Sequence, residues 1–273
     1  MKLRTTQARL SLMLAAAALL LALPMSVSAI TAPGVADPFV WLDASNVDGM
    51  NNATLTDGQG MAGVNVGGDD EIDWVDRGTQ GLGTWQAVPG TRESTFVANA
   101  INGLPAVRFD GGDDIVLVDG SIRPELLASV SDDATIFVVS ALTGGSNGAL
   151  LSTRGSGNDG WTFRQVDSDS YRYFFTGHNA DVQTDSVPTV GTGFHIAQLK
   201  RDGDNPLGQA TLTLNVKGAV TNTDTGTDGF DAEGSGTAIG RNRSGAGGFT
   251  GDIAEIIIYD RLLTQAENTL VGG

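Results

Sequence analysis

The sequence predicts an all-β fold, an antiparallel β-sandwich with one short C-terminal helix. Three observations carry that prediction. Apolar residues fall on every second position in several short segments, clusters of Gly, Asn and Asp separate those segments, and helix-start chemistry occurs at one place near the C-terminus. The 38 Gly among 273 residues are spread through the chain as turn punctuation, and no Pro- or Ser-rich linker divides it, which points to one domain.

The N-terminal segment is set aside before any fold reasoning. Lys2, Arg4 and Arg9 precede an apolar run over residues 11–23, Pro24 ends that run, and Val27-Ser28-Ala29 supplies the small residues of a signal-peptidase site. The run is shorter than the ~20 residues that span a bilayer comfortably. The reading is a signal peptide over residues 1–29 and a single domain over residues 30–273. Removing a prefix with three basic residues and no acid takes the net charge from −16 to −19.

Along the domain, residues 115–118 and 135–139 are continuous apolar runs dense in β-branched side chains, as in strands covered on both faces. Residues 161–164, 171–173 and 211–216 alternate, as in strands with one dry and one wet face. Residues 155–160 and 202–206 collect the Gly, Asn, Asp and Pro that tight turns require. Thr264-Gln265-Ala266-Glu267 is a capping box and starts the one helix. Gly67-Gly68-Asp69-Asp70 and Gly111-Gly112-Asp113-Asp114 resemble each other but recur at no fixed period, which argues against a solenoid or propeller.

Composition removes several functions. With no Cys there is no disulfide framework, thiolate zinc site, iron–sulfur cluster or cysteine nucleophile. A net charge this negative, with scattered Arg, repels phosphate backbones and anionic membrane surfaces, so nucleic acid is not an expected partner. No later stretch is apolar enough to insert into a membrane.

The order of segments carries a family resemblance. Phe39-Val40-Trp41-Leu42-Asp43-Ala44-Ser45, Trp74-Val75-Asp76-Arg77 and Asn102-Gly103-Leu104-Pro105-Ala106-Val107-Arg108-Phe109-Asp110-Gly111 are followed by apolar segments at residues 134–139, 193–197 and 212–218. Ala238-Ile239-Gly240, the run from Phe249 to Asp260 and Leu263-Thr264-Gln265-Ala266-Glu267 close the pattern. The chain thus resembles bacterial laminin-G-like domains of the concanavalin A-like lectin/glucanase superfamily. The resemblance implies a jelly-roll sandwich. The shared residues are turn glycines, core apolars and strand-end acids, none of which carries chemistry in that family.

One motif argues for catalysis. Glu71-Ile72-Asp73-Trp74-Val75-Asp76 resembles the active-site strand of lichenase- and laminarinase-type β-glucanases, where carboxylates on one face of a strand serve as nucleophile and acid/base. Residues i and i+2 share a face, a bulge can return i+5 to it, and retaining glycosidases need carboxyls ~5–5.5 Å apart. Against this, Asp76 is one methylene shorter than the Glu of those enzymes, and the motif lies early in the chain. Its Trp74-x-Asp76-Arg77 part also belongs to the laminin-G-like pattern.

Other candidates favour structural roles. His178 and His195 lack triad order or paired spacing, and His195 falls on an expected core strand as a hydrogen-bonded structural residue. Trp41, Trp74 and Trp161 read as core, whereas Trp85, among Gly81, Gly83 and Pro89, is the candidate exposed ring for stacking on a sugar. Asp110, Asp113 and Asp114 form the tightest acidic turn and are the candidate ligands for Ca²⁺, the one candidate cofactor.

The sequence therefore predicts a secreted module, extracellular, on the cell surface or in the periplasm, that binds carbohydrate or surface glycoprotein without catalysis. The alternatives are an extracellular endo-β-glucanase using Glu71, Asp73 and Asp76, and a structural surface protein whose acidic exterior confers solubility.

Overall fold

The computed structural model describes residues 34–63, 73–79, 84–87, 93–112, 115–118, 133–144, 148–153, 161–166, 171–175, 181–183, 193–202, 209–216, 219–227, 237–241 and 247–272. In chain order the strands are β1 (Val40–Asp43), β2 (Thr84–Ala87), β3 (Thr95–Ile101), β4 (Leu104–Asp110), β5 (Ile115–Val118), β6 (Ala134–Gly144), β7 (Gly148–Ser152) and β8 (Trp161–Gln165). They continue with β9 (Tyr171–Phe175), β10 (Asp181–Gln183), β11 (His195–Asp202), β12 (Gln209–Val216), β13 (Ala219–Thr227), β14 (Ala238–Ile239) and β15 (Thr250–Tyr259). One helix, α1 (Gln265–Gly272), follows.

The strands form two antiparallel sheets. The first runs β13-β12-β11-β6-β15-β4-β3 with β1 also paired to β15, and the second runs β10-β9-β8-β7-β14-β5-β2. Between them lies the core. Val107, Phe109, Ile136, Val138, Ile253, Ile256 and Ile258 from the first sheet meet Ile115, Leu151, Trp161, Phe163 and Tyr171 from the second. All are buried, as two facing sheets with inward-alternating side chains require. This is the antiparallel β-sandwich that the sequence predicts, and the one α-helix among the described residues is C-terminal.

The apolar runs have a second cause. Phe137, Ile257 and Tyr259 point away from the main core and are covered by Val35, Trp41 and Leu263, with Val271 of α1 alongside. One half of the first sheet's outer face is thereby sealed. The capping box holds the helix in place: Glu267 N donates to Thr264 Oγ1 at 3.3 Å and Thr264 N donates to Glu267 Oε2 at 2.8 Å.

Two local expectations change. Residues 161–164 are a strand, but one buried on both faces, with Thr162 and Arg164 as inaccessible as Trp161 and Phe163. Residues 73–79, the described part of the acidic motif, are not a strand. Their ladder contacts are isolated bridges, Leu42 with Asp76 and Trp74 with Trp85.

One irregularity organises the rest of the outer face. The pairing of β15 with β6 shifts between Ile253 and Glu255, so Ala254 is an extra residue, a β-bulge. On the other edge of β15, β4 pairs with residues 250–253 and β1 with residues 255–258, end to end. The bulge falls where one neighbour gives way to the other. Nearby, β3 and β4 are joined by Asn102 and Gly103, at φ 48° and 88°, in a two-residue hairpin with Ile101 opposite Leu104.

Backbone contact is closest at Gly248, where an added Cβ would overlap the Gly111 carbonyl, leaving no side chain to move aside. Gly248→Ala is expected to destabilise the sandwich by at least ~1–3 kcal/mol, the usual range for overpacking. Urea unfolding checks this, with Thr264→Ala as a comparison expected to cost ~1 kcal/mol for a lost cap.

Candidate functional site

The outer face of the first sheet carries the polar chemistry, beginning beside the bulge. Because period two is broken at Ala254, Ile253 and Ile256 both face the core while Glu255 faces outward, opposite Asp43 of β1. There Trp41 Nε1 donates to Glu255 Oε1 at 2.8 Å. Arg77 Nη1 donates to Asp43 Oδ2 at 3.1 Å, and its guanidinium lies 4.0 Å from the centre of the Trp41 ring. Such a stack is worth ~0.5–2 kcal/mol. Burial pushes the Glu255 carboxyl up to about 7, against the Trp41 hydrogen bond, and the neighbouring Asp43 adds to the rise.

The acidic motif serves the fold here. Asp76 Oδ1 accepts from Trp41 N at 3.0 Å and Gly78 N at 2.8 Å, and Oδ2 accepts from Trp85 Nε1 at 3.4 Å. Asp73 is buried and accepts from Ala87 N at 2.8 Å. Burial, partly offset by that bond and reinforced by Glu93, raises Asp73 to about 6. Both carboxylates tie backbone segments together, while Glu71 lies outside the described residues.

Trp85 corrects its expectation. It is fully buried in the main core against the β-sandwich interior, so its ring offers no surface to a sugar. Glycine near a ring in sequence does not decide whether that ring is buried. Trp41, Trp74 and Trp161 are buried as expected. His195 does begin a core strand and is buried, but neither ring nitrogen has a hydrogen-bond partner among the described residues. It stands edge-on to Tyr171 at 6.3 Å between ring centres, and burial pushes its pKa down, which keeps it neutral. His178 lies outside the described residues.

At the end of β4, Asp110 Oδ1 accepts from Gly112 N at 2.8 Å, an Asx-type turn. Asp113 and Asp114 lie outside the described residues, and among those described no three His, Asp or Glu side chains converge on a metal position.

The concavity that can receive a ligand lies further along the same outer face. It is a groove of about 470 Å³. Ala100, Ile101 and Asn102 of the β3–β4 hairpin form one wall, and Gly193 and Phe194, leading into β11, form the other. Ala141 and Thr143 of β6 and Asp252 of β15 make the floor. Asp252 is held by a two-pronged bond from Arg108, Nε to Oδ1 at 2.7 Å and Nη2 to Oδ2 at 2.8 Å. Arg108 stays half-exposed, and its pairing with Asp252 raises its own pKa further. The groove thus joins one aromatic face and small aliphatic side chains to hydroxyl, amide and carboxylate groups, at a size typical of small-ligand clefts.

Sequence reasoning passed over Phe194, Asn102, Thr143, Arg108 and Asp252 as site residues. A trace of the signal existed, since alternation along residues 106–109 turns Arg108 away from the core. Its partner, 144 positions away, was not deducible.

A family described as the concanavalin A-like lectin/glucanases superfamily, through its laminin-G type, matches residues 126–267. No curated protein matches the sequence. Among solved structures, domain 4 of AbnA, a GH43 extracellular arabinanase from Geobacillus stearothermophilus in complex with arabinotriose, is similar at 18% identity and TM-score 0.51, covering 72% of this chain and 92% of that one. The receptor-binding domain of botulinum neurotoxin mosaic serotype C/D is similar at 10% identity and TM-score 0.52, covering 86% of this chain and 50% of that one. The Ruminococcus gnavus IT-sialidase CBM40 bound to α2,3-sialyllactose has 18% identity and TM-score 0.47, covering 62% of this chain and 96% of that one.

A carboxyl whose pKa is raised by folding stabilises the protein fully below its unfolded pKa, and that contribution is lost as pH rises through the folded value. For Glu255 the window runs from 4.5 to about 7. Urea unfolding at pH 5 and pH 8 should show lower stability at pH 8, and Glu255→Gln should reduce the difference without abolishing it, because Asp73, raised to about 6, titrates in the same interval.

Proposed function

The chain belongs to the concanavalin A-like lectin/glucanase superfamily, and from that premise we propose that it is a secreted, non-catalytic module that binds extracellular carbohydrate in the groove of the first sheet. The groove's composition carries this reading. A sugar ring presents an apolar face and a rim of hydroxyls, and Phe194 meets the first while Asn102, Thr143 and Asp252 meet the second. The arabinotriose bound to the similar arabinanase domain is an oligosaccharide on the same fold. Secretion rests on the signal-peptide pattern of residues 1–29.

A glycosidase needs two carboxyls free to attack, protonate or deprotonate at the scissile bond. In the groove, both oxygens of Asp252 are engaged by Arg108, and Asp73 and Asp76 are engaged by backbone donors. This supports binding over hydrolysis. No helix among the described residues is long and apolar enough to cross a membrane.

A glycan array followed by calorimetric titration tests the proposal. Wild-type protein is expected to bind oligosaccharides, and Phe194→Ala to weaken binding at least ~10-fold, the order of one lost stacking contact, with an unchanged melting temperature. The protein is also expected to release no reducing sugar from lichenan or laminarin. Binding unaffected by Phe194→Ala would move the site elsewhere, and turnover abolished by Glu71→Gln would make the protein a glucanase.

A further inference from the structure

Beside the groove, and sharing Ile101 with it, lies a second, smaller hollow of about 90 Å³. It opens where β4 gives way to β1 along β15. Its walls are aliphatic, made of Ile101, Leu104, Pro105, Val139 and the bulge residue Ala254. Asp43, Ser45 and Glu255 form its polar end. The space is too small for a sugar ring and fits a substituent on one.

The hydrogen bonds at the polar end are unequal. Both oxygens of Asp43 are engaged, since Oδ1 accepts from Ser45 N at 2.7 Å while Oδ2 accepts from Ser45 Oγ at 2.8 Å and from Arg77 at 3.1 Å. Glu255 uses only Oε1, toward Trp41, and Oε2 has no donor among the described residues. The hollow therefore presents several aliphatic walls and, at its polar end, a carboxylate oxygen that no donor among the described residues engages.

That combination selects among substituents. A protonated amine is drawn to the polar end, but Arg77 already offsets the charge of Asp43, and the amine brings no apolar group for the aliphatic walls. A hydroxymethyl group brings one donor but a single carbon, and leaves most of the aliphatic wall facing water. An acetamido group brings one N–H for Oε2 and a methyl for the walls, with its carbonyl free to face the open groove.

We infer that this hollow is a specificity subsite for the acetamido group of an N-acetylated hexosamine in the glycan that the groove holds. The inference rests on the carbohydrate reading of the groove, and it adds the chemical class of the recognised unit.

The test is titration with matched trimers that differ at one substituent: N-acetylglucosamine, glucose and glucosamine oligomers, and the corresponding galacto series. The acetylated member of a series should bind at least ~10-fold tighter than its hydroxyl counterpart, about 1.4 kcal/mol, and the amine form no tighter than the hydroxyl. Glu255→Gln, which points an amide N–H₂ at either Trp41 or the ligand, should reduce the preference to under threefold. Leu104→Ala, at an exposed hairpin position, should do the same with folding unaffected, and melting curves confirm folding for both variants. Equal affinity within each series, tightest binding by the amine, or a preference that survives both variants would overturn the subsite while leaving carbohydrate binding intact. Failure of every glycan on the array to bind would overturn both readings.

Discussion

A strand with neighbours on both edges and side chains buried on both faces has little freedom to break period two, yet β15 breaks it at Ala254. Were the strand regular through Ala254, Glu255 would share a face with Ile253 and its carboxylate would enter the apolar core, at a cost of several kcal/mol. With it, Ile256 and Ile258 rejoin the core and Glu255 turns outward toward Asp43 and Trp41. The position of the bulge also determines where β4 can end and β1 can begin. The outer-face hollow and the wall it shares with the groove follow from that one register shift.

Around the bulge, polar side chains fasten irregular chain to regular sheet. Asp76 takes the amide of Trp41 and that of Gly78, while Arg77 reaches Asp43 and lies on the Trp41 ring. An ion pair such as Arg77 with Asp43 contributes little net stability when partly buried, because desolvation offsets attraction. Its value is geometric. The same pairing engages Asp43 beside Glu255, and so links the order of the connecting segment to the chemistry of the outer face.

The sandwich was legible in the sequence because alternation, β-branched runs and turn clusters act within a few residues of each other. The run at 135–139, the capping box at Thr264 and the three core tryptophans all behave as local patterns dictate. The site was not legible for the opposite reason. Phe194, Asn102 and Asp252 meet only through the order of strands in the first sheet, and alternation says which face a residue takes but not what lies opposite. Trp85 misled because glycine near a ring in sequence does not decide whether the ring is buried. His195 was placed correctly in the core, but whether its ring nitrogens meet a partner depends on neighbours from other strands, and among the described residues they meet none. The structural roles weighed for Asp73 and Asp76 agree with the backbone donors that each accepts, although residues 73–76 form isolated bridges rather than a strand.

The central position of β15 has a consequence in time. It follows every other described strand in the chain, yet it lies between β6 on one edge and β4 and β1 on the other, and the Trp41–Glu255 bond joins residues 214 positions apart. Until β15 joins them, β13-β12-β11-β6, β4-β3 and β1 are three separate pieces with open edges. Contacts this distant in sequence make folding slow and late rather than progressive. The topology that completes the outer face thus also makes closure of the first sheet a single late event rather than a strand-by-strand one.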